Sequence, residues 1–267
     1  EYETVWNTTT PPKTASVTTA VGDVLVLSGM AENRSAVLAT PTGGTGLTWT
    51  LRQEVTATPD TDWCAAYVWT AVATTAETFT LSVARTAGAF QWGWICDQWS
   101  GSDGVGASAK DNLASGPPRL GLTTTDESSA VVVSNSDWSA LDGTSRVWRS
   151  INGVAATEQA YFRDSALYTL YSGRHNDAGA IGIKTVGTET PATQKYSIVA
   201  VEVLGSPGAV TGTLSASVPT TTASSSGTIL VTGTESSSAP AVTSSSSGTV
   251  TTAGTLSATV PVATATS

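Results

Sequence analysis

The chain has 267 residues, 12 Lys and Arg against 21 Asp and Glu, a net charge of −9, and only 12% charged residues. With that sign and no basic stripe to neutralise phosphates, nucleic acid is excluded as a partner, and anionic lipid is repelled. No stretch approaches the 18 or so apolar residues of a membrane span, so no membrane partner is expected.

Thr, Ser, Ala, Gly and Val dominate, while the helix-surface residues Lys and Glu are scarce, so the chain reads as all-β. Residues 1–21 read as an extended lead-in, because the double proline of TTTPPKT blocks a helix. From Gly22 onward strand signals come quickly. DVLVLSGMA is a near-continuous apolar run suited to a buried strand, and GLTWTLRQEV alternates. WCAAYVWTAVA and TFTLSVAR follow, joined by the polar turn TTAE. AFQWGWICDQW places Phe90, Trp92, Trp94 and Cys96 on one face by its period of two, which marks that face as core. SGSDGVGASAKDNLASGPP then reads as a long loop, of the kind that often carries function.

The second half resumes with RLGLTTT, SAVVVSNSDW, SRVWRSI, EQAYFRDSALYTLYSGRH, GAIGIKTVG and KYSIVAVEVLG. About ten strands between Asp23 and Gly205, with regular turn signals, predict a jelly-roll-like β-sandwich over residues 1–205. A Gly/Pro linker at 206–211 ends it.

Residues 212–267 are a repeat. Gly212, Gly233 and Gly254 are 21 residues apart, as are Pro219, Pro240 and Pro261. A fixed period of this kind marks an array whose units bury surface only against neighbours. The expected result is an extended, fibre-like β tail, with a Ser/Thr-rich linker as the alternative. In a homo-oligomer, possibly a trimer, its apolar positions Leu214, Val218, Ile229, Val231, Leu256 and Val260 would turn inward while Ser and Thr face water.

Reactive groups are sparse. His175 is the single histidine, no G-x-S-x-G elbow accompanies it, and Cys64 and Cys96 lack zinc spacing. The two cysteines read as buried thiols, with a disulfide between neighbouring strands as the alternative. Asp164 and Asp177 beside His175 offer oxygens for calcium, but without EF-hand spacing. Glu158, Asp164, Asp97 and Asp142 supply carboxylates without the paired strand pattern of a glucanase. No enzyme activity, metal or cofactor is therefore expected. Aromatic rings beside acid or amide groups can stack on sugar, which makes Trp99, with Asp97 and Gln98, the candidate carbohydrate or adhesion contact. On that basis a secreted carbohydrate-binding module is the rival reading.

The block DWSALDGTSRVWRSINGVAATEQAYFRDSALYTLYSG, the ending QKYSIVAVEVLG and the opening GDVLVLSGMAENRSAVLATPTG resemble a family of jelly-roll-like virion structural proteins of actinobacterial phages and prophages. Repeats similar to GTLSATVP stand behind such domains in minor tail proteins. The resemblance covers residues 1–205 and reads the start at Glu1 as trimmed. It implies a structural or adhesive role on the virion surface: a minor tail or tail-fibre protein, or a capsid decoration or head fibre. It also implies other virion proteins as partners and host cell-wall glycan as a target, and brings no catalytic residues.

Overall fold

The computed structural model describes residues 2–3, 11–33, 35–56, 64–87, 90–138, 146–163, 168–205, 230–231 and 251–252. The chain divides into two compact units, Glu1–Pro207 and Gly208–Ser267. All regular structure among the described residues is strand and turn.

The first unit begins with nine strands: β1 (Tyr2–Glu3), β2 (Lys13–Thr19), β3 (Val24–Ala31), β4 (Val37–Leu38), β5 (Thr50–Val55), β6 (Ala65–Val72), β7 (Glu77–Val83), β8 (Arg85–Ala87) and β9 (Trp92–Trp99). Ten more follow: β10 (Val105–Gly116), β11 (Arg119–Thr124), β12 (Ala130–Asp137), β13 (Val147–Trp148), β14 (Ser150–Ile151), β15 (Val154–Ala155), β16 (Thr157–Arg163), β17 (Thr169–His175), β18 (Gly182–Thr190) and β19 (Gln194–Val203). The second unit contributes β20 (Leu230–Val231) and β21 (Thr251–Thr252).

The strand orders reveal a duplication. One five-stranded sheet runs β1-β9-β3-β6-β5 and the other β10-β19-β12-β17-β16. These are the same order once β10, β19, β12, β17 and β16 replace β1, β9, β3, β6 and β5. The smaller pair β2-β7 is matched by β11-β18. Aligning the ladders sets Leu27 with Val133, Tyr67 with Tyr171, Trp94 with Ile198 and Cys96 with Ala200. Even the irregularities match, since β5 is bulged between Leu51 and Gln53 and β16 between Glu158 and Ala160. The first unit is thus two β-sandwich lobes of one topology.

Each lobe has its own core, and the large sheets also pack on each other. Leu25, Leu27, Tyr67, Trp69, Trp92, Trp94 and Cys96 face Val17, Leu38, Leu81 and Val83 in lobe 1. Val131, Val133, Tyr171, Tyr196 and Ile198 face Leu120, Leu122, Trp148 and Val186 in lobe 2. Between the lobes lie Val24, Val26, Ala66 and Val68 against Val132, Val199, Val201 and Val203, with Met30 and Ile95 against Ala160 and Leu170. The layers meet as β5 on β10 and β19, β6 on β19 and β12, and β3 on β12 and β17. Contact of β6 with β12 implies, under the alignment, contact of β17 with β3, and both occur. The contacts made by β5, and that of β6 with β19, have no equally close counterpart from lobe 2, so the twofold relation of the lobes holds only around β3 and β12.

Three expectations change. The lead-in contains β2, because Val17 and the half-buried Ala15 alternate inward and pair the strand with β7. The long loop after Trp99 is mostly β10, a 12-residue edge strand on β19. Its Gly, Ser and Ala have little intrinsic strand preference, and the ladder with β19 overrides it. Instead of about ten strands in one sandwich, Asp23–Gly205 holds strands of two.

Candidate functional site

The predicted adhesion residues lie at the junction of the lobes. Asp97 points from β9 toward the second large sheet and is 0% exposed. Arg174 of β17 reaches it, Nη1 donating to Asp97 Oδ1 at 3.1 Å. The same guanidinium lies 5.2 Å from the centre of the Trp99 ring. Trp99 is half-buried against the interlobe core. Asp97 is thus a structural charge at the interface, and Trp99 is partly covered by lobe 2. At the equivalent positions, Val201 stands for Asp97 and Thr70 for Arg174.

Gln98 belongs to a clamp beside this pair. Its amide donates to Asp23 Oδ2, while Ser100 Oγ and the Ala20 N–H donate to the same carboxylate at 2.7 and 2.8 Å. Lobe 2 carries the clamp with the partners exchanged. Glu202 occupies the place of Gln98, and Ser129 that of Asp23. Glu202 accepts from Ser129 Oγ at 2.7 Å, from the N–H groups of Thr125, Ala107 and Asp126 at 2.8, 2.8 and 3.1 Å, and from Thr125 Oγ1 at 2.8 Å. Burial alone would raise both carboxyls. The donated bonds outweigh it and hold Asp23 and Glu202 below the usual carboxylate range. Each clamp ties the β2–β3 or β11–β12 turn to the last strand of its lobe.

Cys64 and Cys96 are buried thiols on opposite faces of one sheet, Cys96 in the lobe 1 core and Cys64 in the interlobe core. Both are free thiols, as the first reading has it, and the alternative disulfide is not formed. Burial, and then the Asp97 charge, push the Cys96 thiol far up, so it stays protonated.

His175 ends β17 and is buried there, and burial lowers its pKa, which favours the neutral imidazole. Glu158 is held by Arg146, whose Nε and Nη2 donate at 2.8 and 2.6 Å, and by Trp148 Nε1 at 3.0 Å. Asp177 accepts from the Gly179 N–H at 2.7 Å. Among the described residues no three His, Cys, Asp or Glu side chains come together as a metal site. Asp142, Asp164, Leu214, Val218, Ile229, Leu256 and Val260 lie outside the described residues, and Val231 lies in β20.

Sequence reading missed one depression, of about 310 Å³, on lobe 1. Thr45, Gly46, Thr48, Thr50, Arg52, Thr70, Ala71, Val72 and Thr74 line it. Arg52 is the extra residue of the β5 bulge, and its Nε donates to Thr70 Oγ1 at 2.7 Å. A bulge re-aims the side chain it carries. The sequence signal was the threonine spacing of TGLTWTLR, which reads only as strand alternation.

Comparison with known proteins finds no matching family, curated protein or solved structure.

Proposed function

We propose that this protein is a non-enzymatic structural component of a tailed-phage virion. The first placement is a minor tail or tail-fibre protein, and the second a head decoration or head fibre. Two jelly-roll-type lobes form a displayed body for assembly or host-surface adhesion, and residues 212–267 form the spacer that carries it.

One observation carries the reading. β20 and β21 pair in parallel, Leu230 with Thr251 and Val231 with Thr252. Each pair is separated by 21 residues, since 251 − 230 = 21 and 252 − 231 = 21. That is the period of the Gly and Pro repeat. At these two positions residues one repeat apart pair in register, which is the pairing that neighbouring rungs of a solenoid make. Continued along the repeat, such pairing would order a charge-poor, Ser/Thr-rich segment without a large core of its own.

The same chain supports the body. Two carboxylates inside it are held, Asp97 by the Arg174 guanidinium and Glu202 by donated hydrogen bonds. The position of Trp99 at the lobe junction weighs against the secreted carbohydrate-binding module. Light scattering on the full chain, with protease digestion in parallel, tests the proposal. It predicts a closed oligomer whose repeat segment resists cleavage. A strict monomer cut readily beyond Gly205 would count against it.

A further inference from the structure

We infer that the Arg52 groove of lobe 1 is a binding site for an oxyanion carried beside hydroxyl groups, such as a carboxylated sugar or a phosphorylated polyol. The inference does not depend on the particle assignment.

The two lobes supply the comparison that singles the groove out. In lobe 2 the arginine stands on β17, as Arg174, and Asp97 neutralises it from across the junction. The equivalent of Arg174 in lobe 1 is Thr70, and the equivalent of Asp97 in lobe 2 is Val201. The arginine appears instead on the neighbouring strand, as Arg52, at the bulge where lobe 2 has Gln159. Among the described residues Arg52 takes part in no ion pair. Arg52 shares that state with exposed cations such as Arg119, and differs from Arg119 in lining a depression.

The groove is arranged to use it. Thr70 accepts from Nε and fixes the guanidinium, which leaves Nη1 and Nη2 as the fork that grips a carboxylate or phosphate. Thr48 and Thr50 are exposed along the lining and offer hydroxyls that both donate and accept, the pattern a polyol requires. No carboxylate lines the depression. Glu77 is taken up by the Thr45–Gly46 turn, where it accepts from the Thr45 N–H at 2.7 Å and the Gly46 N–H at 3.1 Å. The Thr74 hydroxyl donates to the Gly46 carbonyl at 2.9 Å and pins the other side of the same turn. Position 52 is itself anchored across the lobes, because Gln53 donates to Ser108 Oγ at 3.0 Å. The cation is held in place before any ligand arrives, which lowers the ordering cost of binding.

Titration of the full chain at low salt, followed by amide chemical shifts, tests this with four probes: glucuronate, glycerol 3-phosphate, glucose and inorganic phosphate. The first two separate carboxylate from phosphate as the anion, and the last two remove the anion or the hydroxyls. The expected result is millimolar or tighter binding of glucuronate or glycerol 3-phosphate, with shifts at Thr48, Thr50 and Thr70, and weaker binding of glucose and inorganic phosphate. Arg52→Gln, which copies the lobe 2 residue, should weaken the favoured probe about 10- to 100-fold with an unchanged urea midpoint. Arg119→Gln, at an exposed arginine of β11, should leave it unchanged. The inference is overturned if neither anionic probe binds up to about 20 mM. It is equally overturned if Arg52→Gln keeps full affinity, or if Arg119→Gln loses as much.

Discussion

Exchanging the Asp97–Arg174 pair for the residues that the opposite lobe carries at each equivalent position probes the internal duplication. Three variants are required: Arg174→Thr, Asp97→Val and the double change, which recreates Thr70 and Val201. Arg174 is 29% exposed at its side chain while Asp97 is 0% exposed, so the two single changes are unequal. Arg174→Thr strands a buried carboxylate, which costs about 3–5 kcal/mol. Asp97→Val leaves an arginine that can turn toward water and costs less, about 1–2 kcal/mol. The double change removes both charges and should return to within about 1 kcal/mol of the parent, because an apolar replacement of a buried pair is often neutral or better. Urea unfolding followed by fluorescence of the nine tryptophans gives the values. For a body of this size Arg174→Thr should also lower the Tm by about 6–20 °C. If the double change is as damaging as the sum of the singles, the pair is uncoupled and the equivalence of the lobes fails.

The clamps make stability pH-dependent. Asp23 and Glu202 have folded pKa values below their ordinary 3.8 and 4.5, so their contribution is complete above those values and is lost as pH falls through the lower folded ones. Urea midpoints should therefore drop below about pH 4.5, and less steeply in Glu202→Gln; an unchanged slope in that variant would contradict the clamp. Trp94→Ala, which empties a fully buried site and removes the Nε1 bond to the Lys13 carbonyl, should cost about 3–5 kcal/mol, against about 0.5 kcal/mol or less for the exposed Ile183→Ala, as read by the same unfolding assay. In hydrogen exchange, the amides at 230–231 and 251–252 should be protected together. Inserting one further 21-residue unit should preserve that protection and removing ten residues between the two strands should abolish it, whereas equal exchange in all three chains would refute the stacked register.

Part of this fold was legible in the sequence because period two is a local signal. Trp92, Trp94 and Cys96 declared one face of β9 by spacing alone and are fully buried there, with Phe90 packed just before the strand. The opposite face misled. Asp97 on it looked like solvent chemistry, yet that face is covered by a sheet whose strands begin after Gly104. The duplication was hidden by compensation between positions. Trp69 stands where lobe 2 has Gly173, and the space above Gly173 is filled by Trp148 from another strand, with ring atoms 2.8–3.0 Å from where a Cβ would sit. Likewise Asp23 with Gln98 became Ser129 with Glu202, the same clamp with its charge moved to the other partner. Such exchanges preserve packing and polarity while erasing the sequence likeness that would reveal them. The Arg52 groove depends on a bulge and on a residue missing from across a junction, and neither leaves a motif.

The placement on a virion is tested most directly by electron microscopy of phage particles made in a host carrying this gene, labelled with antibody against the two-lobed body. The account predicts label at fixed positions on the particle, on the tail first and on the head second. Particles free of label, with the protein recovered only from the surrounding medium, would contradict it.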